Sequence, residues 1–245
     1  MKDVTDLSVD QLAENIARVR TNIAEAAQKA GRDPGEVTLV AVSKTKPVEL
    51  VEMAYNLGVT DFGENRVQEA LPKVEHFHPQ GLRWHLIGHL QSNKAGKVVG
   101  PFSYIHSVDS LHLAQILNRH ALEEGIQLSI LLQVNVAGEA SKEGVAPADA
   151  RVLAQQIADL PALRVEGLMT VAPLVSNPEE VRPVFRELRL LRDRLRETVP
   201  AGNWQHLSMG MTDDYAIAIE EGATLVRVGR AIFGQRPQVM RAGLA

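Results

Sequence analysis

A lysine stands at the end of an apolar run, Leu39-Val40-Ala41-Val42-Ser43-Lys44. Burying an ammonium without a partner is costly, so such a setting favours the neutral amine. That form attacks a carbonyl carbon to give a Schiff base. The plainer alternative is that Lys44 leaves the strand end and reaches water or a carboxylate. Far along the chain, two stretches share another pattern: an apolar run, then small or hydroxyl residues, then a helix start. They are Leu207-Ser208-Met209-Gly210-Met211-Thr212-Asp213-Asp214 and Val226-Arg227-Val228-Gly229-Arg230-Ala231. Backbone N–H groups at such turns, with the positive end of the helix, suit a phosphate. Gly229 would let the backbone come close to it. Taken singly, each turn is a weak signal, because glycine there is commonly structural.

Together, an amine and an anion cradle describe a site for a molecule carrying both an aldehyde and a phosphate. Pyridoxal 5′-phosphate is the commonest cofactor of that kind. Arg227 interrupts an apolar run, so it either faces an interior with a partner or lies among outer helices. Against a pyridine nitrogen it would keep that nitrogen unprotonated, since a guanidinium does not give up its proton. Such a ring is a weaker electron sink than one opposed by an aspartate. Other candidates point elsewhere or nowhere. His76 and His78, and His85 and His89, lack a carboxylate to complete a metal set, so no metal site is expected. Asp213 and Asp214 read as helix caps. Asn65 is either a turn residue or a rim residue. Gly96-Lys97 is not a phosphate-binding Walker loop, and no Ser/His/Asp nucleophile elbow is present.

The elements that must position these residues alternate. Ser8 and Gln11 form a capping box, and Leu12, Ile16, Val19, Ile23 and Ala27 make one apolar stripe that ends at Gly31 and Pro34. Short apolar runs follow at 38–42, 60–63, 83–87, 104–107, 129–136, 164–170, 205–209 and 225–229. Helical patterns separate them, among them 48–57, 111–123, 147–160 and 178–198. The last carries Arg182, Arg186, Arg189, Arg192 and Arg196, read as a solvated face or else a polyanion site. Continuous apolar runs suit parallel strands covered on both faces, and eight strand–helix units match a closed (β/α)8 barrel. An open doubly wound sheet would usually carry a Gly-rich turn after its first strand, and none is present. The expected organisation is one domain over residues 1–245, with an N-terminal helical segment 1–35, the barrel 36–234 and a tail 235–245.

Composition closes off other classes. The 245 residues include 26 Lys+Arg and 30 Asp+Glu, a net charge of −4, which offers little to nucleic acid. There are no cysteines, so disulfides, thiolate metal sites and cysteine nucleophiles are excluded. With no long apolar span and an acidic start, the chain is expected to be cytoplasmic and free of the membrane.

Several segments in fixed order carry a resemblance: LVAVSKTKP (39–47), DFGENRVQEA (61–70), RWHLIGHLQSNK (83–94), EGLMTVAP (166–173) and HLSMGMTDDYAIAIEEGATLVRVGRAIFG (206–234). Together they resemble the pyridoxal phosphate homeostasis proteins, the YggS/PROSC-type family, over nearly the whole chain. The resemblance implies a TIM-type barrel similar to the N-terminal domain of alanine racemase, holding pyridoxal 5′-phosphate as an aldimine on Lys44. It also implies phosphate contacts from Ser208 and the backbone at Gly229 and Arg230, with Arg227 facing the pyridine nitrogen and Asn65 and Met169 near the ring. The family pattern often has Thr at 230, where this chain has Arg; a backbone contact survives that change and a hydroxyl contact does not. Members are described as buffering or delivering the cofactor without robust catalysis. The rival class is a racemase or decarboxylase on the same barrel, with a Schiff-base aldolase further off. Racemases add a C-terminal β-domain carrying a second acid/base, and only 11 residues follow Gly234 here. Apo-enzymes that use the cofactor are the implied recipients, and a monomer is preferred over a homodimer.

Overall fold

A computed structural model describes residues 7–139 and 142–235. All but the first residue of the expected tail therefore lies outside the described residues. Eight parallel strands close on themselves in sequence order, because β1 (Thr38–Val42) pairs with both β2 (Asp61–Glu64) and β8 (Leu225–Val228). Between them come β3 (Arg83–Leu86), β4 (Tyr104–Val108), β5 (Leu128–Gln133), β6 (Leu163–Met169) and β7 (His206–Ser208). The (β/α)8 barrel inferred from the alternation is thus the observed fold.

The outer helices follow the amphipathic patterns. They are α1 (Val9–Lys29), α2 (Val48–Asn56), α3 (Val67–His76), α4 (Leu111–Glu123), α5 (Ala150–Ala158), α6 (Arg182–Thr198), α7 (Tyr215–Glu220) and α8 (Arg230–Phe233). A 3₁₀ segment, Ser92–Lys97, takes the helix position between β3 and β4. The capping box forms as expected, with Ser8 Oγ accepting from the Gln11 N–H and Gln11 Oε1 from the Ser8 N–H. The apolar stripe of α1 packs on the barrel wall beside α7 and α8, and Asn15 Nδ2 donates to the Ile232 carbonyl at 3.0 Å. The pattern over 178–198 divides into a 3₁₀ turn and α6, because Pro183 in the first turn suits a helix start rather than its interior. Among the described residues, no helix is long and apolar enough to cross a membrane.

One expectation needs correction. The arginine face of α6 is neither simply solvated nor vacant. Arg186 Nη2 lies 2.8 Å from Glu221 Oε1, Arg189 reaches the same carboxylate, and Arg182 Nη2 meets Glu220 Oε2 at 2.7 Å. Because Glu221 is buried, these arginines clamp α6 to the end of α7. The barrel interior also departs from the usual Val/Ile/Leu filling. Val40, Leu131, Met169 and Leu225 form a small apolar cluster there, and Asp61, His85, His106, Ser208 and Arg227 are buried beside them.

Near the N-terminal end, Arg83 Nε lies 2.7 Å from Asp61 Oδ1 and His85 Nε2 lies 2.9 Å from the same oxygen. Burial by itself would raise the Asp61 carboxyl, but the His85 and Arg83 hydrogen bonds outweigh it and hold its pKa at about 2, against an ordinary 3.8. A folded-state pKa below the unfolded one adds stability above that ordinary value, and the gain is lost as pH falls from 3.8 toward 2. Asp61→Asn is therefore expected to be less stable at neutral pH and to lose less stability across that acid interval. Urea titrations at stepped pH check this, and parallel curves for both proteins would refute it.

Candidate functional site

The C-terminal strand ends enclose a cavity of about 660 Å³, within the range of small-molecule sites. Lys44, Asn65, Arg227, Gly229 and Arg230 line it together, although they come from opposite ends of the sequence. Closure of the barrel brings them there: Ala41 of β1 stands in register with Val228 of β8. A Cβ added at Gly229 would lie 3.2 Å from the Val42 carbonyl oxygen, so the two strand ends approach at backbone distance.

Lys44 sits in a tight turn. The Lys46 N–H donates to the Ser43 carbonyl at 3.0 Å, and Thr45 between them has φ 63°. A β-branched residue in that left-handed region is strained, a condition met where surrounding structure dictates the path. The bracing lies directly below. Ser43 Oγ donates to Glu64 Oε1 at 2.7 Å, and Lys73 Nζ donates to both Glu64 Oε1 and the Ser43 carbonyl at 2.8 Å. Lys46 shares the cavity with Lys44. The turn keeps it on the cavity wall, with Nζ 3.1 Å from the Gln235 carbonyl, and partial burial pushes its amine pKa down.

Asn65 follows β2, and its Oδ1 is buried with no hydrogen-bond partner in the structure. Its backbone is held by close contact: a Cβ at Gly88 would lie 2.3 Å from the Asn65 carbonyl oxygen. Gly88→Ala is therefore expected to cost about 1–3 kcal/mol and to displace Asn65 from the rim. Chemical denaturation measures the first effect. A variant as stable as the parent would show that the approach is not limiting.

At the β8 end, the Ile232 and Phe233 N–H groups both bond to the Gly229 carbonyl, so α8 begins at the cavity wall. The first N–H groups of a helix have no partner inside it. The Arg230 side chain turns aside to pair with Asp213, while Asp214 Oδ1 accepts from the Met211 N–H at 2.5 Å. Asp214 thus stands at the α7 start, ordering the preceding turn rather than capping a later donor. Arg227 is 4% exposed, with Nη1 on Ser208 Oγ at 2.6 Å and Nη2 on the Thr170 carbonyl at 2.8 Å. Burial lowers its pKa to about 10, which leaves it a cation at neutral pH.

Ser208 and Met169 occupy a lower level. Both are buried in the barrel, and Ser208 Oγ meets His106 Nδ1 at 2.9 Å as well as Arg227. Thr212, four residues further on, is the hydroxyl that lines the cavity. On the far side, His89 is joined by Asp109 and Glu143, whose ligand atoms lie within 4.8 Å of one another. The fold thus supplies carboxylates that spacing alone did not show, although His89 and Glu143 are exposed and such groups are common without an ion.

The family model for the N-terminal domain of alanine racemase matches residues 15–237. A pyridoxal phosphate homeostasis protein of Pseudomonas aeruginosa is 47% identical over 225 residues, covering 92% of this chain and 96% of that protein. One from Aquifex aeolicus is 44% identical over 223 residues, covering 91% and 97%. This chain belongs to the pyridoxal phosphate homeostasis protein family. Among solved structures, PipY of Synechococcus elongatus with pyridoxal phosphate bound is 40% identical, covers 91% of this chain and 100% of its own, and has a TM-score of 0.81.

Within this family frame, sequence reasoning missed what lies beneath the cavity: the Lys73–Glu64 brace and the histidines His85 and His106. Glu64 falls inside the DFGENRVQEA segment and could have drawn notice as a carboxylate in a strand. Nothing local marks Lys73 as its partner.

Proposed function

We propose that this chain binds pyridoxal 5′-phosphate and serves its intracellular homeostasis as a buffer or carrier. The observation that carries the reading is the meeting of Lys44, Arg227 and the α8 start around one cavity. The residues present fit the group. The unpartnered Asn65 Oδ1 can accept the ring hydroxyl, and Gly229 leaves room for the phosphate to reach backbone N–H groups. Thr212 stands ready to add a hydroxyl to that cradle, while Arg230 contributes its backbone N–H. When bound, the cofactor would supply an electrophilic aldehyde, and Lys44 would be the amine that holds it. Arg227 would face the ring nitrogen and withhold a proton from it.

A carrier rather than an enzyme is favoured by what surrounds Lys44. Among the described residues lining the cavity there is no tyrosine or histidine to oppose it, and Asp213 is engaged by Arg230. Tyr104 is stacked on His85 in the barrel interior, and Tyr215 bonds to Asn22. Reversible removal of an α-proton needs an acid and a base on opposite faces. The cellular form of this reading is a cytoplasmic monomer that passes the cofactor to apo-enzymes. Titration with pyridoxal 5′-phosphate is expected to give a saturable yellow chromophore at one equivalent, with no turnover in amino-acid racemization assays. Absence of the chromophore refutes binding, and sustained racemization refutes the carrier role.

A further inference from the structure

Beneath the cavity a line of five buried side chains crosses the barrel. Asp61 Oδ1 lies 2.9 Å from His85 Nε2, and His85 Nδ1 lies 2.9 Å from His106 Nε2. His106 Nδ1 lies 2.9 Å from Ser208 Oγ, which accepts from Arg227 Nη1 at 2.6 Å. The two ends have no freedom of role: a carboxylate accepts only and a guanidinium donates only. The roles between them follow in order. His85 must carry a proton on Nε2 to bond Asp61. A neutral His85 then accepts at Nδ1, so His106 donates from Nε2. A neutral His106 in turn accepts at Nδ1, and the Ser208 hydroxyl proton fills that position. Ser208 is left facing Arg227 with lone pairs alone. Reversing the line would require an imidazolium in a buried interior that already contains Arg227.

We infer that His85 and His106 are positioning residues, locked as Nε2–H tautomers, that fix Arg227 in the cavity floor and so select a ring whose nitrogen offers a lone pair. This selection rests on the cofactor reading above. It also assigns the Ser208 proton to the barrel interior, so that this hydroxyl cannot donate to a phosphate.

Two measurements test the inference. In ¹⁵N-histidine spectra of the ligand-free protein at neutral pH, His85 and His106 are expected as neutral Nε2–H tautomers. An Nδ1–H form or an imidazolium at either position overturns the lock. The second measurement compares binding of pyridoxal 5′-phosphate with its ring-N-methylated analogue, which has no lone pair to offer. Wild type is expected to prefer the former by about tenfold or more. His106→Leu should narrow that preference to about threefold or less, whereas His106→Asn, which keeps an acceptor near the Nδ1 position, should preserve it. Equal binding of both ligands by wild type, or an unchanged preference in the leucine variant, overturns the selection. If neither ligand binds wild type, the cofactor reading falls and the selection with it, and the spectra still decide the lock.

Discussion

Lys44→Ala is expected to abolish covalent capture of pyridoxal 5′-phosphate while leaving weaker, phosphate-led binding. The Lys44 amine is assigned the carbon–nitrogen bond to the aldehyde, whereas the anion cradle at the α8 start and the Arg227 contact survive its removal. Borohydride reduction followed by peptide mass spectrometry should place one pyridoxyl group on the Lys44 peptide of wild type and none at that position in the variant. Lys46 makes the experiment discriminating. It lines the same cavity, and partial burial favours its neutral, nucleophilic form. A wild-type adduct on Lys46 would show that the wrong lysine has been given the role. The expected difference is nearly all or none, because no other contact replaces a covalent bond.

Lys73→Met is expected to cost about 3 kcal/mol of folding stability. Glu64 is 0% exposed at its side chain and Lys73 only 12%, with their charged atoms 2.8 Å apart. Removing the ammonium leaves a carboxylate deep in the wall whose remaining hydrogen-bond partner among the described residues is the Ser43 hydroxyl. For a domain of this size that loss lowers the melting temperature by about 6–12 °C. Adding Glu64→Gln should restore at least half of it, since the amide oxygen still accepts from Ser43 without a buried charge. The single variant should also trap less cofactor at Lys44, because Lys73 holds the carbonyl of the preceding residue. A loss below about 1 kcal/mol would show that Glu64 finds another partner or takes up a proton.

The order of strands and helices was legible because each element carries its own local signal. The apolar stripe of α1, its capping box and the first strand, Thr38–Val42, all appear as read. Ends were less legible where chain path, not composition, sets them. Residues 134–136 continue an apolar run, yet the chain leaves the ladder after Gln133 and Val134 instead bridges Val145. Lys44, Gly229 and Arg230 were placed at strand ends from the sequence, Asn65 and Arg227 each carried two readings there, and closure of the barrel brings all five to one cavity.

By itself, the sequence determined the parallel barrel, the strand-end lysine and the two turns suited to an anion, since each depends on residues close together in the chain. Only the tertiary structure decided which polar groups face inward and which meet. Strands buried on both faces show no polar–apolar alternation, so their inward residues cannot be told from the outward ones. Ser208 and His106 are 102 positions apart, and Lys73 reaches Glu64 only because α3 folds back beside β2. Hydrogen bonds between such groups depend on distances that ring closure sets, and no spacing along the chain encodes them.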